Sequence, residues 1–150
     1  MTITLESIKA EQTKLAQMIA KFEATAPILF VIPETSIELQ PGERYSGLIL
    51  GDDGKPSHHL VLLPGDVEAN WEDAKKLASR AGGELPTRRE QSLLFANLKS
   101  EFKADWYWSS EQSSELTAFV QLFGSGCQSY SLSKSDERRC RFVRLIPLNS

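Results

Sequence analysis

The apolar positions nearest the N-terminus fall at helical spacing. Leu5, Ile8, Gln12, Leu15, Ile19 and Phe22 recur at intervals of three and four, which are the alternating a and d positions of a heptad. One stripe of one helix is therefore adhesive. A helix this short has little stability alone, so it docks either on its own globular domain or on copies of itself. Gln12 at an a position favours self-association, because a buried polar residue in such a seam sets register and chain number at some cost in stability. Packing on the body of the same chain stays open as the alternative. The pattern divides the chain into an N-terminal amphipathic, coiled-coil oligomerisation helix over 1–26 and one domain over 27–150.

Beyond the helix, the period changes. Ala26 and Pro27 stop the helical pattern, and Ile28 to Ile32 form an apolar run bounded by Pro33, which predicts a short buried strand. A linker through Pro41 and Gly42 follows. Tyr45 to Leu50 and His59 to Leu63 flank the turn formers of Gly51-Asp52-Asp53-Gly54-Lys55-Pro56, which predicts a β-hairpin. Asn70 caps a predicted helix whose Trp71, Ala74, Leu77, Ala78 and Ala81 share a face, and Gly82-Gly83 ends it. Thr87-Arg88-Arg89-Glu90 fits a capping box ahead of Leu94, Phe95, Leu98 and Phe102, so a second helix begins there. The last third reads as strands: Trp106 to Trp108, Ala118 to Phe123, Gln128 to Leu132 and Cys140 to Ile146, with a hairpin turn at Gly124-Ser125-Gly126. Strands before and after a central helical pair predict α+β, not a repeating βαβ order.

Composition adds boundaries. The 150 residues are 41% hydrophobic and 25% charged, the make-up of an ordinary globular chain of one-domain length. No apolar run approaches the ~20 residues that cross a bilayer. Nor does the N-terminus have the basic-then-apolar layout of a signal peptide, and both facts predict a cytoplasmic protein without a membrane partner. In that compartment Cys127 and Cys140 are expected as free thiols. The formal charge of −3 argues against a general nucleic-acid coat but leaves room for a local basic patch.

Several segments together resemble the DUF1566 domain family. They are Gly83-Glu84-Leu85-Pro86-Thr87-Arg88-Arg89-Glu90, Trp106-Tyr107-Trp108-Ser109-Ser110-Glu111, Ala118-Phe119-Val120-Gln121-Leu122-Phe123 and Arg139-Cys140-Arg141-Phe142-Val143-Arg144. The resemblance runs from roughly Tyr45 to Pro147. It implies a C-type-lectin-like fold, with two helices and antiparallel strands, related in shape to formylglycine-generating enzymes and to variable receptor-binding proteins of diversity-generating retroelements. It also implies a phage or prophage origin, and localisation in the cytoplasm of the infected or lysogenic bacterial host. The family carries no agreed activity, so the resemblance speaks to fold more than to function.

Enzyme and cofactor signatures are missing from the sequence. A formylglycine-generating site needs a close pair of reactive cysteines, whereas Cys127 and Cys140 fall on separate predicted strands without motif neighbours. Lectin-type calcium tripeptides do not occur. His58-His59 are adjacent on an extended segment, where successive side chains point to opposite faces, so they do not close on one metal and read as surface hairpin residues. No Gly-rich phosphate loop, motif-supported Ser/His/Asp set or zinc-type cysteine spacing is present. The expectation is a non-enzymatic protein with no cofactor and no metal.

The positive chemical feature is the basic C-terminal strand. Arg138, Arg139, Arg141 and Arg144 crowd together, with Trp106, Trp108, Gln121 and Tyr130 on neighbouring predicted strands. Guanidinium groups beside aromatic rings suit phosphate, carboxylate and nucleobase contacts. The competing reading is structural: Arg139 and Arg141 share one face of an extended strand and can pair with Asp136, Glu137 or Glu111, while the tryptophans anchor the core. Arg88 and Arg89 also stand in a helix's first turn, where the dipole disfavours cations.

Three functional readings follow. The first is a recognition protein whose coiled coil makes a homo-oligomer, a trimer or another small number, so that weak sites act together on a host or phage macromolecule. Its biological role would be that of a phage accessory or anti-defence protein that binds and blocks something in the cell. The second sequesters a small anionic, nucleotide-like ligand without turning it over. The third is a nucleic-acid-binding accessory, for which binding falls steeply with salt.

Overall fold

The computed structural model describes residues 3–148. It divides into two compact units, Met1–Val31 and Ile32–Ser150. The division falls inside the apolar run that follows the first helix.

The first unit is built on helix α1, Leu5–Thr25. Thr4 and Ser7 form a reciprocal capping box at its start, and Ala26, extended, ends it with its N–H on the Phe22 carbonyl. No residue of α1 is buried. Leu15 is 57% exposed and Phe22 is 71% exposed, so the apolar stripe is displayed in full.

The strand expected over Ile28 to Ile32 does not form. The segment has no ladder partner, and Leu29 is 93% exposed. Apolar side chains supply a reason to be buried, but a strand also needs a paired edge, and Pro27 and Pro33 remove a donor at each end of this one.

The second unit is α+β. Strands β1 (Arg44–Leu50) and β2 (Pro56–Leu62) make the expected hairpin, closed by Gly51 N–H donating to the Lys55 carbonyl at 2.8 Å. Strand β3 (Val67–Ala69) was not legible in the sequence; it leads into α2 (Trp71–Arg80), whose N-cap is Asn70. Helix α3 (Arg88–Leu98) opens on the Thr87–Glu90 capping box and passes into a short 3-10 turn, so Phe102 lies beyond it. Strands β4 (Trp106–Gln112), β5 (Thr117–Leu122), β6 (Ser131–Ser133), β7 (Arg138–Cys140) and β8 (Val143–Pro147) complete the chain.

These strands make two sheets, ordered β1-β2-β8 and β3-β7-β4-β5-β6. All pairings are antiparallel except β4 with β7. Two expectations need correcting here. The strand expected over Gln128 to Leu132 is confined to Ser131–Ser133. The strand expected over Cys140 to Ile146 is two strands in two different sheets. The chain leaves one sheet at Arg141-Phe142, where the Phe142 carbonyl accepts the Leu63 N–H at 2.9 Å and Val143 exchanges both backbone bonds with Glu84. Gly83 permits that approach, because a Cβ there would stand 2.4 Å from the Val143 carbonyl oxygen.

Each sheet has its own core. On the five-stranded sheet, Trp71, Ala74 and Ala78 of α2 pack with Trp108, Val120 and Cys140. Both indoles are satisfied: Trp71 donates to the Ser109 carbonyl at 2.8 Å and Trp108 to that of Ala69 at 2.9 Å. On the three-stranded sheet, Leu60, Leu62 and Val143 pack with Leu94 of α3, Tyr107 and Phe123. Complete burial of each such leucine contributes about 1.5–3 kcal/mol.

Candidate functional site

The structure uses each C-terminal arginine locally. Arg139, on β7, meets Asp105 at 2.9 Å, Asp66 at 3.3 Å and Glu68 at 3.3 Å. The hydrogen bond that Arg139 donates to Asp105 above all raises the Arg139 pKa. Tyr107 also donates to Asp66, and burial together with that carboxylate drives its phenol pKa up. Arg141 is only 7% exposed and donates to the carbonyls of Leu63 and Glu101, clamping the corner between the sheets. It does not share a strand face with Arg139, since no strand includes it. Arg144 holds both carboxylate oxygens of Glu43 at 2.8 Å and the Glu38 carbonyl at 2.9 Å. Its hydrogen bond keeps the Glu43 carboxyl below the usual range. Arg138 lies 3.6 Å from Asp136.

The aromatic partners are likewise divided. Trp108 is fully buried. Trp106 is half-buried and meets the exposed Tyr130 edge-on, with centroids 5.4 Å apart. Trp106 and Trp108 pair with Leu122 and Val120 on one face of the sheet, whereas Gln121 pairs with Tyr107 and lies on the other. There Gln121 joins a buried amide chain, donating to the Gln91 carbonyl at 3.3 Å and accepting from Gln128. The arginines, tryptophans and Gln121 therefore do not converge on one open pocket. Tyr130 with Trp106 is the part that reaches the surface.

A second cluster lies where the hairpin meets α3, and the sequence reading missed it. Glu90, with a side chain 3% exposed, accepts the His58 Nε2–H at 2.7 Å on one oxygen and the Thr87 N–H at 2.9 Å on the other. Ser57 Oγ lies 3.0 Å from His58 Nδ1, within hydrogen-bond distance. Arg89 reaches back to the Leu50 carbonyl at 2.9 Å and to Asp52 at 2.7 Å. This explains two cations in a first turn: Arg89 is held by the hairpin, and Arg88 by the Phe119 ring 3.9 Å away and the Gln128 carbonyl. Ser57, His58, Thr87, Arg89 and Glu90 border a cavity of about 420 Å3.

An imidazole oriented by a buried carboxylate and touching a hydroxyl can hold and pass a proton. Acyl transfer also needs free donors for an oxyanion. The Thr87 and Arg88 N–H groups that open α3 are already given to Glu90 and Glu111. Through Glu90 the cluster ties the hairpin to α3; its capping box was legible in the sequence, whereas its partner His58 was not.

The expectation of surface histidines fails for His59, which is 6% exposed. Its place on the middle strand, with neighbours on both sides, buries it. Cys127 and Cys140 are both free thiols, and burial pushes the Cys140 thiol pKa up to about 12. Among the described residues no group of His, Cys, Asp and Glu is arranged to hold a metal ion, and no helix is long and apolar enough to cross a membrane.

These features define an α+β domain, joined in sequence to a helix with a displayed apolar seam. No protein-family model matches the chain, and the search of curated proteins gives no match.

Proposed function

We propose that this protein is a non-enzymatic recognition protein that works as a small homo-oligomer. Helix α1 supplies the assembly element and the α+β domain supplies the binding surface. The observation that carries this reading is the seam of α1: Leu5, Ile8, Leu15, Ile19 and Phe22 are all exposed along one capped helix. Such a stripe at heptad spacing is complementary to copies of itself, and Gln12 within it limits the registers that satisfy its amide. The lectin-like fold, the phage or prophage origin and a cytoplasmic host setting belong to the same proposal and rest on the DUF1566 resemblance. On that basis the partner is a host or phage macromolecule, blocked by several weak contacts acting together.

Among the candidate binding residues, Tyr130 and Trp106 are the pair best placed for such contacts, because Tyr130 is exposed and its ring is fixed by Trp106. The anionic-ligand reading draws less support, since Arg139 and Arg144 already face carboxylates and Arg141 faces carbonyls.

The test is light scattering on the full chain and on its Leu15→Glu/Ile19→Glu variant. A multiple of the 16.8 kDa chain mass that drops to one chain in the variant supports the proposal. The same mass in both proteins removes the seam from assembly.

A further inference from the structure

The five consecutive apolar residues from Ile28 to Ile32 lie outside any helix or strand, and all five side chains are exposed. Phe30, the most covered of them, is still 53% exposed. Among the described residues, the backbone N–H and C=O groups of 28–32 take part in no hydrogen bond. The segment is therefore apolar in its side chains and unpaired in its backbone. Paired as a strand, it would set Ile28, Phe30 and Ile32 on one face and Leu29 and Val31 on the other. A run that is apolar on both faces has the composition of a covered strand, not of a solvated linker.

Its place in the chain points to what covers it. Only Ala26 and Pro27 separate it from Thr25, the last residue of α1. Packed helices run about 8–10 Å apart, whereas paired strands run about 4.8 Å apart. Two intervening residues on each chain, each spanning up to about 3.5 Å, close that difference. This holds only for parallel helices. In an antiparallel pair the 21 residues of α1, at about 1.5 Å each, would hold the two segments about 30 Å apart. Parallel copies in register also set Gln12 against Gln12, where each amide meets a group that both donates and accepts.

We propose that the segment is covered by the same segment of a second copy. Helix α1 associates in parallel, and residues 28–32 of neighbouring chains pair in register as parallel strands directly beyond it. The inference rests on the assembly role given to α1, to which it adds an orientation and a second contact. Pro27 and Pro33, which carry no N–H, confine the pairing to these residues and stop it from spreading along the chain.

Two measurements on the full chain test it. The first is hydrogen exchange by mass spectrometry over 28–32, in the wild type and in the Leu15→Glu/Ile19→Glu variant. The expected result is exchange slowed about tenfold or more in the wild-type oligomer and lost in the variant. The second is mild oxidation of Leu29→Cys in a Cys127→Ser background, where the remaining Cys140 is buried. In-register pairing sets the two Leu29 Cα atoms about 4.8 Å apart, within the span of a disulfide, so two chains become linked. An oligomer whose 28–32 amides exchange freely, or whose Leu29→Cys chains stay unlinked, overturns this proposal and leaves association through α1 standing. Equal protection in the wild type and the variant also overturns it, because the segment is then covered by its own chain. A wild type that is a single chain overturns both readings.

Discussion

Helices α1 and α3 start alike and end differently. Each opens on a threonine that caps the residue three positions on, with the reciprocal bond returned by Ser7 in α1 and by Glu90 in α3. Along α3 the helix buries Glu90, Gln91, Leu94 and Leu98, while the longer α1 buries nothing. Capping satisfies the first N–H groups of a helix wherever it occurs, but packing of the apolar face supplies most of a helix's stability. The difference teaches that α3 is completed by its own domain, whereas α1 buries none of its apolar face within its own unit.

The largest expected effect falls on the domain side of this comparison. Trp108→Ala removes a fully buried ring and its bond to Ala69, and should cost about 3–5 kcal/mol in urea unfolding followed by tryptophan fluorescence. Leu15→Ala, on the seam, should leave the unfolding of the domain within about 0.5 kcal/mol of wild type. Equal losses from both substitutions would erase the distinction between the two helices' surroundings.

Glu90→Ala comes next. It leaves the His58 imidazole and the Thr87 N–H without their acceptor, and should cost about 2–3 kcal/mol by the same measurement. Glu90→Gln keeps an oxygen for one donor and should recover part of that loss. An unchanged midpoint in Glu90→Ala would show that hairpin and helix are held together without Glu90.

A smaller, pH-dependent effect sharpens the account of the arginines. The Glu43 carboxyl lies below its ordinary value of 4.5 in the folded chain because Arg144 bonds it. The unfolded chain therefore takes up that proton first as pH falls. The stability this pair contributes is complete above the ordinary carboxylate range and is lost on acidification through it. Thermal melts of Glu43→Gln should show a shallower decline on the acid side and an unchanged slope above neutrality. A wild-type acid slope in Glu43→Gln would show that the pair contributes nothing.

Much of the architecture was legible because local rules govern it. Turn formers at Gly51–Pro56, Asn70 at a cap and Thr87-x-x-Glu90 each act within a few residues, and each is where the pattern placed it. The failures required long-range knowledge. Ile28–Ile32 has the composition of a strand, but pairing depends on a free edge that no local pattern reports. Cys140–Ile146 reads as one strand because no turn former interrupts it, yet Arg141 turns the chain by bonding carbonyls at Leu63 and Glu101, far away in sequence. The same reason hid the binding chemistry. The arginine and tryptophan cluster was visible as a composition, whereas its internal partners, Asp66, Asp105 and Glu43, are brought in by the sheets. His58 and Glu90 are distant in sequence, and only the β1-β2 hairpin lying against α3 makes them neighbours.

The central claim is that α1 completes itself on other copies of the chain. Native mass spectrometry of the wild-type protein tests it most directly. The account predicts one assembly of two or more chains, with a different chain number or a tighter assembly in Gln12→Leu, where the seam no longer carries an amide to satisfy. A single chain in the wild type, unchanged in Gln12→Leu and at raised concentration, would contradict it.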